Sequence, residues 1–262
     1  MEEIRLGFIG FGNMAQAMVK GLLLKAVLPA DQIYVCAKNW EKLQQRADRY
    51  GVHPCQDARE VAENSDMVIV AVKPYLVREI LEPIRDIFGG KAVVSVAAGM
   101  MFDQYEEILG AGSCHLSTLP NTPVSVGEGV IVCEKRHSLT DGQERLFQSL
   151  FSKIALVQAV ETEQFGIAGT ISGCGPAYAA MFIEALADAA VLHGLPRKLS
   201  YDLASQMVRG TGKMQMETGA QPGVMKDAVC SPGGTTIVGV AALERKGFRS
   251  AVIDAIDAVM KK

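Results

Sequence analysis

The residues best placed for chemistry form a Ser-Pro-Gly-Gly-Thr-Thr run at positions 231–236. Ser231 is of a type preferred just before a helix, and proline suits the first helical position because its missing N–H would have no partner there. The two glycines predict bare backbone N–H groups at the positive end of a helix dipole, where a carboxylate or phosphate can bind. The run therefore predicts an anion site, with an ordinary glycine-containing helix cap as the alternative.

A second glycine-rich run follows the first apolar segment of the chain. Residues 4–9 (Ile-Arg-Leu-Gly-Phe-Ile) have the pattern of a buried strand, and an amphipathic helix follows them. Between the two, Gly10, Gly12 and Ala15 form a G-x-G-x-x-A pattern. In this setting Gly10 allows a tight turn, Gly12 allows close approach of a pyrophosphate, and Ala15 allows the helix to pack on the strand. The run predicts a dinucleotide site.

Three further segments lie where expected strands end. Residues 71–74 (Ala-Val-Lys-Pro) and 97–99 (Ala-Ala-Gly) follow apolar strands, and ligands of open α/β sheets bind at such carboxyl ends. After the strand at 33–36, Lys38 and Asn39 stand where an acidic residue would bind the ribose 2′-hydroxyl of NAD. A lysine and an amide suit a 2′-phosphate, so we expect NADPH. The alternative is that Lys38 is a solvated surface residue and that NADH also serves.

Composition argues against several classes of partner. The chain has 262 residues, 26 of them basic and 29 acidic, for a net charge of −3, and no basic block suggests nucleic acid. Met1-Glu2-Glu3 leads directly into the first strand, so we expect no leader peptide and a cytoplasmic protein. The uncharged stretch 165–183 approaches membrane-spanning length, but glycines and a proline interrupt it. We expect a buried loop–helix junction there rather than a membrane span.

Cysteine and histidine are too dispersed for a metal centre. The six cysteines (36, 55, 114, 133, 174 and 230) include no C-x-x-C pair, and the four histidines are equally scattered. Most of the cysteines fall in apolar strand contexts, which is typical of small core residues. We expect no metal site and no nucleophile–base pair.

The pattern of apolar segments changes near Val160. Before it, strands alternate with helices, as in a doubly wound sheet, and after it every segment has a helical pattern. We therefore expect an α/β protein with a dinucleotide-binding domain at 1–160 and an all-α domain at 161–262. A long helix expected to open at Ser172 is apolar or small on nearly every side, which requires burial all round. A domain of this size can hardly bury it alone, so we expect at least a homodimer.

Taken together, these motifs resemble those of the pyrroline-5-carboxylate reductase family, from Ile4 to about Ala258. The resemblance rests on residues 7–14, 71–74, 95–99, 120–123 and 172–178, and above all on the run 231–236, in the family's order. It implies a Rossmann-type sheet domain, an all-α dimerisation domain, and dimers that often assemble into decamers. The implied reaction is hydride transfer from NAD(P)H to the C=N carbon of 1-pyrroline-5-carboxylate, which gives L-proline.

The resemblance also implies which residues form the site. The cofactor would contact the following residues, together with Lys38 and Asn39: Ile9, Gly10, Phe11, Gly12, Asn13, Met14, Ala71, Val72, Lys73, Pro74, Ala97, Ala98 and Gly99. The substrate carboxylate would lie on the backbone of Gly234, Thr235 and Thr236, within a site that also includes Ser231 and Gly233. The Thr236 hydroxyl would meet the ring nitrogen, which makes Thr236 the candidate catalytic residue. The alternative for Thr236 is a cap hydroxyl bonded to its own backbone.

Two alternative functions stay open from the residues. One is another Rossmann reductase with a helical second domain, such as an imine reductase or a β-hydroxyacid dehydrogenase. The latter uses a lysine early in the inter-domain helix, and this chain has no lysine between Lys153 and Lys198. The other alternative is a nucleotide-binding sensor without turnover.

Overall fold

The computed structural model describes residues 4–261. Residues 1–3, on which the expectation of no leader peptide rests, lie outside that range. The strands are β1 (Leu6–Ile9), β2 (Ile33–Cys36), β3 (His53–Pro54), β4 (Met67–Val70), β5 (Ala92–Ser95), β6 (Cys114–Pro120), β7 (Gly129–Glu134) and β8 (Ala155–Val160). The α-helices are α1 (Asn13–Leu24), α2 (Trp40–Tyr50), α3 (Ala58–Glu63), α4 (Val77–Leu81), α5 (Phe102–Leu109), α6 (Asp141–Phe151), α7 (Thr162–Leu192), α8 (Arg197–Thr218), α9 (Pro222–Ala228), α10 (Thr235–Arg245) and α11 (Phe248–Met260).

The eight strands form one sheet in the order β3-β2-β1-β4-β5-β6-β7-β8. The first six strands lie in the order 3-2-1-4-5-6 and pair in parallel. The order of successive strands reverses between β1 and β4, which is the Rossmann arrangement. Only the pairing of β6 with β7 is antiparallel among the described strands. The expected doubly wound fold is confirmed. Sequence reasoning missed β3, because two residues are too few to show a periodic pattern.

Apolar side chains cover both faces of this sheet. Along β4, Met67 and Ile69 belong to the core cluster on one face, whereas Val68 and Val70 belong to the cluster on the other. Successive residues of a strand point to opposite faces, so a strand buried on both sides has a continuous apolar sequence rather than an alternating one. This double burial explains the uninterrupted apolar run of β4 and fixes the strand ends where ligands of such sheets bind.

After β8 the chain, as described through residue 261, contains the five helices α7–α11 and no strand. The expected all-α second part is therefore confirmed. The chain divides into two compact units, one ending at Pro176 and one starting at Ala177. The domain boundary that we expect near Val160 coincides with the end of β8, where helical structure begins, and it stays a prediction.

Helix α7 starts earlier than the sequence pattern indicated. The expected start at Ser172 and the expected loop–helix junction at 165–183 are wrong, because one helix of 31 residues spans Thr162–Leu192. Glycine lowers helix propensity without forbidding helical dihedral angles, and an interior proline removes one N–H donor rather than every bond around it. A glycine-rich segment can therefore remain helical when its neighbours are.

The same helix is not buried by its own chain. Its length and hydropathy would allow it to cross a membrane, and it is the one helix of residues 4–261 for which this holds. Within the described chain, only 6% of its most apolar 18-residue segment is buried, so the expectation of a buried segment is not met within one subunit. A helix that another subunit covers has the same apolar pattern as a membrane span, so this pattern by itself is weak evidence for either.

Candidate functional site

The turn between β1 and α1 requires glycine at its first position. Gly10 has a φ of +95°, and its N–H donates to the carbonyl of Cys36 on β2 at 3.0 Å. A Cβ atom added to Gly10 would lie 2.7 Å from the carbonyl oxygen of Ala71, the residue after β4. Any side chain would therefore be strained by its backbone angle and by a clash with the neighbouring strand end.

Helix α1 begins with open backbone donors. Its N-cap is Gly12, which has no side chain to accept a hydrogen bond from the N–H groups of the first turn. A Cβ added to Gly12 would meet no described atom within 4 Å, whereas Ala15 is fully buried against the sheet. The first N–H groups of a helix have no intrahelical partner, so they are available to an anion such as a pyrophosphate.

Two side chains that sequence reasoning missed hold this turn in place. Arg46 of α2 donates to the carbonyl of Phe11 at 2.9 Å, and Gln16 of α1 donates to the same carbonyl at 3.2 Å. Both contacts fix the direction of the peptide that follows Phe11, so the N–H groups after it stay on the open side. No local pattern marks Arg46, because its partner lies 35 residues away in the chain.

The turns after β1, β4 and β5 come together at one edge of the sheet. In the register of the parallel strands, Ile9 pairs with Val70, and Val70 pairs with Ser95. The N–H of Ala71 donates to the carbonyl of Ile9 at 2.8 Å, and that of Val96 donates to Val70 at 3.0 Å. Residues 10–14, 71–74 and 97–99 therefore leave adjacent strands side by side, although they are far apart in sequence.

A buried tyrosine supports the third of these turns. The hydroxyl of Tyr105 on α5 hydrogen-bonds to the Ser95 hydroxyl, which also accepts from the N–H of Ala97 at 3.1 Å. Burial raises the pKa of Tyr105 to about 12, because the phenolate would lose its hydration. Tyr105 is thus a neutral hydrogen-bonding group that fixes the start of the turn 97–99.

At the end of β2, Lys38 and Asn39 have different roles. The Asn39 side-chain oxygen accepts from the N–H of Lys42 at 2.9 Å and caps α2, so it is occupied, whereas the amide nitrogen remains a donor. Lys38 is exposed and forms no ion pair within the described residues. A free ammonium and an amide donor at this point suit a phosphate group better than a neutral hydroxyl.

The run 231–236 differs from its expected geometry. Ser231 is not the N-cap and Pro232 is not the first helical residue, because α10 begins at Thr235 with Gly234 as its N-cap. The N–H of Gly234 donates to the carbonyl of Ser231 at 3.0 Å, and Gly233 has a φ of +70°. Proline second and a positive-φ glycine third are typical of a type II turn. The Ser-Pro-Gly-Gly segment is therefore a tight turn that leads into the helix.

This turn shifts the free donors towards the threonines. The N–H of Gly234 is used inside the turn, so the free donors of α10 begin at Thr235 and continue with Thr236 and Ile237. Both threonines are exposed, and within residues 4–261 neither hydroxyl has a hydrogen-bond partner. The alternative that Thr236 caps its own backbone is thus not observed. Two hydroxyls and three backbone N–H groups are free at the positive end of a helix dipole.

The cysteines and the other possible metal ligands of the described chain do not cluster. Among the described residues no group of three or more His, Cys, Asp or Glu side chains could hold a metal ion. All six cysteines are free, and burial raises the pKa of Cys36 to about 11 and those of Cys55 and Cys133 to about 12. These three thiols are therefore core groups and poor nucleophiles near neutral pH.

Comparison with known proteins agrees with both halves of the molecule. Residues 162–262 match the family model for the dimerisation domain of pyrroline-5-carboxylate reductase. Residues 5–99 match a model described as coenzyme F420-dependent NADP oxidoreductase. The NADP-binding character expected of the sheet domain is thus confirmed.

Similarity extends over the full chain. The pyrroline-5-carboxylate reductase of Treponema pallidum (strain Nichols) is 43% identical and covers 98% of this chain and 99% of the relative. That of Escherichia coli (strain K12) is 39% identical, over 99% of this chain and 97% of the relative. The crystal structure of Plasmodium falciparum pyrroline carboxylate reductase with NADP bound has a TM-score of 0.88 at 29% identity, and the match covers 100% and 97% of the two chains. This chain belongs to the pyrroline-5-carboxylate reductase family.

Proposed function

We propose that this protein reduces 1-pyrroline-5-carboxylate to L-proline with NAD(P)H. The observation on which the proposal rests most is the uncapped start of α10, with free N–H groups and two free threonine hydroxyls, in a chain of this family. The substrate is a small cyclic imine with one carboxylate, so it needs an anion site and a polar group near its nitrogen. The first turn of α10 offers both within a few residues.

The residues at the sheet edge fit the pyrophosphate and nicotinamide of the cofactor. The open start of α1 suits a pyrophosphate, and the small residues of the turn 97–99 leave the backbone accessible. Lys38 and the amide of Asn39 would hold a 2′-phosphate, which makes NADPH the preferred cofactor and NADH a weaker one. The proposed cofactor contacts are the residues 9–14, 38–39, 71–74 and 97–99.

In the substrate site each chain group has a simple task. The N–H groups of Thr235 and Thr236, with the helix dipole, would bind the carboxylate, while the turn formed by Ser231, Gly233 and Gly234 fixes their direction. The Thr236 hydroxyl would hydrogen-bond to the ring nitrogen and orient it. When bound, NADPH supplies the hydride for the C=N carbon, and the imine nitrogen retains its proton in proline. A protonated imine is already electrophilic, so alignment matters more than a strong base.

The helical part would complete the enzyme through a second copy. We propose that residues 161–262 form the dimerisation domain, with decamers as a higher assembly. Within this unit, α7 and α11 line an open apolar groove of about 610 Å³ with Met181, Phe182, Leu186, Phe248 and Val252 among its walls. A partner subunit would cover this groove, so α7 need not meet lipid. We accordingly propose a soluble, cytoplasmic enzyme without a nucleic-acid partner.

An assay of cofactor oxidation tests this function directly. Purified protein should oxidise NADPH when 1-pyrroline-5-carboxylate is added, and the product should be L-proline by mass spectrometry. Oxidation only with acyclic imines or with β-keto acids would favour one of the alternative reductases. Cofactor binding without oxidation of any of these would indicate a sensor.

The substitution Thr236→Ala tests the assigned site. Loss of a hydrogen bond to a charged group should lower kcat/KM by about 10- to 100-fold, with the melting temperature unchanged because the hydroxyl has no partner in the fold. Thr211→Ala removes a helical threonine hydroxyl outside the site, one that donates to the Met207 carbonyl at 2.9 Å, and serves as the control. Equal kcat/KM for Thr236→Ala and the unmodified protein would remove Thr236 from the mechanism.

A further inference from the structure

One backbone carbonyl of α7 has lost its helical partner. In an α-helix the carbonyl of residue 172 accepts from the N–H of residue 176, but this chain has proline there. Proline has no N–H, so the Ser172 carbonyl must find another donor or remain unpaired. The chain leaves the first compact unit directly after Pro176, so this is the last turn of α7 within that unit.

Asn121 supplies the missing donor. It follows β6, and its side-chain nitrogen donates to the Ser172 carbonyl at 3.0 Å, across 51 residues of sequence. Its side-chain oxygen accepts from the N–H of Val130 on β7 at 2.8 Å, and its own N–H donates to the Val130 carbonyl at 3.1 Å. Only 7% of the residue is exposed, and both ends of its amide are used. An asparagine amide is the group that can accept at one end and donate at the other.

A second contact aligns the same face of α7 with the end of β6. The side chain of Leu119 packs directly on Gly169, where an added Cβ would collide with its terminal methyl group. Phe165, one turn earlier, is only 2% exposed. Positions 165, 169, 172 and 176 recur at helical spacing and share one face. The contacts of Leu119 and Asn121 therefore both join this face of α7 to the end of β6.

We propose that Asn121 is a positioning residue for hydride transfer. It replaces the N–H that Pro176 lacks and holds α7 at the point where the chain passes from the cofactor-binding unit to the unit that carries residues 231–236. This role rests on the function proposed above. Asn121 is not among the residues proposed to contact cofactor or substrate, and its side chain hydrogen-bonds to Ser172 and Val130, so its role is exerted through α7.

The proposal predicts coupling between two positions that do not contact each other through side chains. With Pro176→Ala, residue 176 regains an N–H and the Ser172 carbonyl has its ordinary helical donor, so α7 no longer depends on Asn121. Only the pairing with Val130, which lies within the sheet domain, still uses the Asn121 side chain. Asn121→Ala should therefore lower kcat about tenfold in the unmodified protein but less than about twofold in the Pro176→Ala protein. KM for both substrates should change little, because the binding groups remain in place.

The experiment compares four proteins in the presence of NADPH: the unmodified protein, Asn121→Ala, Pro176→Ala and the double variant. kcat, KM and the isotope effect on kcat with 4-deuterated NADPH are measured for each, because misalignment slows the hydride step and raises that isotope effect. Hydrogen–deuterium exchange of the amides of 172–180 is measured in parallel. Exchange should accelerate about tenfold in Asn121→Ala alone and return towards the original rate in the double variant.

The two readouts separate failure of this role from failure of the proposed function. If Asn121→Ala changes exchange equally in the unmodified and the Pro176→Ala proteins, Asn121 does not replace the N–H that Pro176 lacks. This conclusion holds whether or not the protein turns over 1-pyrroline-5-carboxylate. If the double variant restores exchange but Asn121→Ala leaves kcat and the isotope effect unchanged, the positioning role is overturned. If Pro176→Ala does not fold, Asn121→Asp keeps the test, because this near-isosteric change places a carboxylate oxygen against the Ser172 carbonyl. It should lower kcat at least as much as Asn121→Ala, and full activity of Asn121→Asp would overturn the proposal.

Discussion

The molecule contains two open helix starts that differ in how they are supported. Helices α1 and α10 both begin after a glycine N-cap in extended conformation, and in the described chain neither cap makes a side-chain hydrogen bond. Both helix starts therefore leave N–H groups free for an anion. A glycine with positive φ precedes each N-cap, Gly10 two residues before Gly12 and Gly233 directly before Gly234.

Their surroundings are opposite. The start of α1 is held by the sheet, by the backbone of Ala71 and by the side chain of Arg46. Around Gly233, in contrast, an added Cβ would meet no described atom within 4 Å, and Thr236 is exposed. The comparison teaches that the chain by itself preorganises the proposed cofactor site, whereas the proposed substrate site has no such support within the described chain.

The largest effect that we expect comes from Gly10→Ala. Positive φ and the clash with the Ala71 carbonyl should lower the free energy of unfolding by about 2–4 kcal/mol and weaken NADPH binding about 100-fold. Chemical denaturation and calorimetric titration measure the two quantities.

Gly12→Ala is the matched variant for the same turn. Its added methyl group has free space in the fold, so stability should stay within about 0.5 kcal/mol, while NADPH binding weakens about tenfold because the pyrophosphate needs that space. Equal stability loss in the two variants would contradict the view that the β1–α1 turn is rigidly held.

The second prediction concerns the exposed apolar face of α7. Met181 of α7 is 68% exposed in the single chain, so Met181→Glu should not disturb the fold of one subunit. A carboxylate buried without a partner at a subunit interface should weaken the dimer about 30-fold or more, which sedimentation at micromolar concentration would show as monomer, with parallel loss of activity.

Leu24→Glu is the control for this change. Leu24 is an exposed apolar residue of the sheet domain, 60% accessible, and lies outside 161–262. It should leave the sedimentation pattern as it is. A dimer unaffected by Met181→Glu, or an unmodified protein that is a stable monomer, would show that α7 is not the interface.

A smaller effect tests the proposed contact of Lys38 with the 2′-phosphate of the cofactor. Lys38→Glu reverses the charge beside the proposed 2′-phosphate, so kcat/KM for NADPH should fall about tenfold while that for NADH changes less than about threefold. Lys20→Glu, on an exposed position of α1, controls for the change in net charge. A lower Michaelis constant for NADH than for NADPH in the unmodified protein would refute the proposed preference.

Several elements could be predicted from the sequence because their signals are local. The apolar runs of β1, β2, β4 and β5 and the helical character after Val160 follow from the spacing of apolar residues over a few turns or strands. The strand–turn–helix setting of Gly10 and Gly12 is local in the same way. The family likewise follows from short motifs in a fixed order.

Other features needed contacts between distant residues. The start of α7 at Thr162 was missed because glycines lower the local helix signal, and the turn before α10 was misread because Ser-Pro suits a helix cap and a type II turn equally. Arg46 and Tyr105 have no local signature, since their partners are brought near only by the sheet.

The sequence by itself determined which backbone segments lack bulky side chains and which stretches are strands or helices, because these properties depend on neighbours a few residues apart. Only the tertiary structure decided that three turns share one edge of the sheet. It also decided that Asn121 replaces the donor which Pro176 removes from α7. Such pairings depend on strand order and register, which bring together atoms that the chain separates by tens of residues.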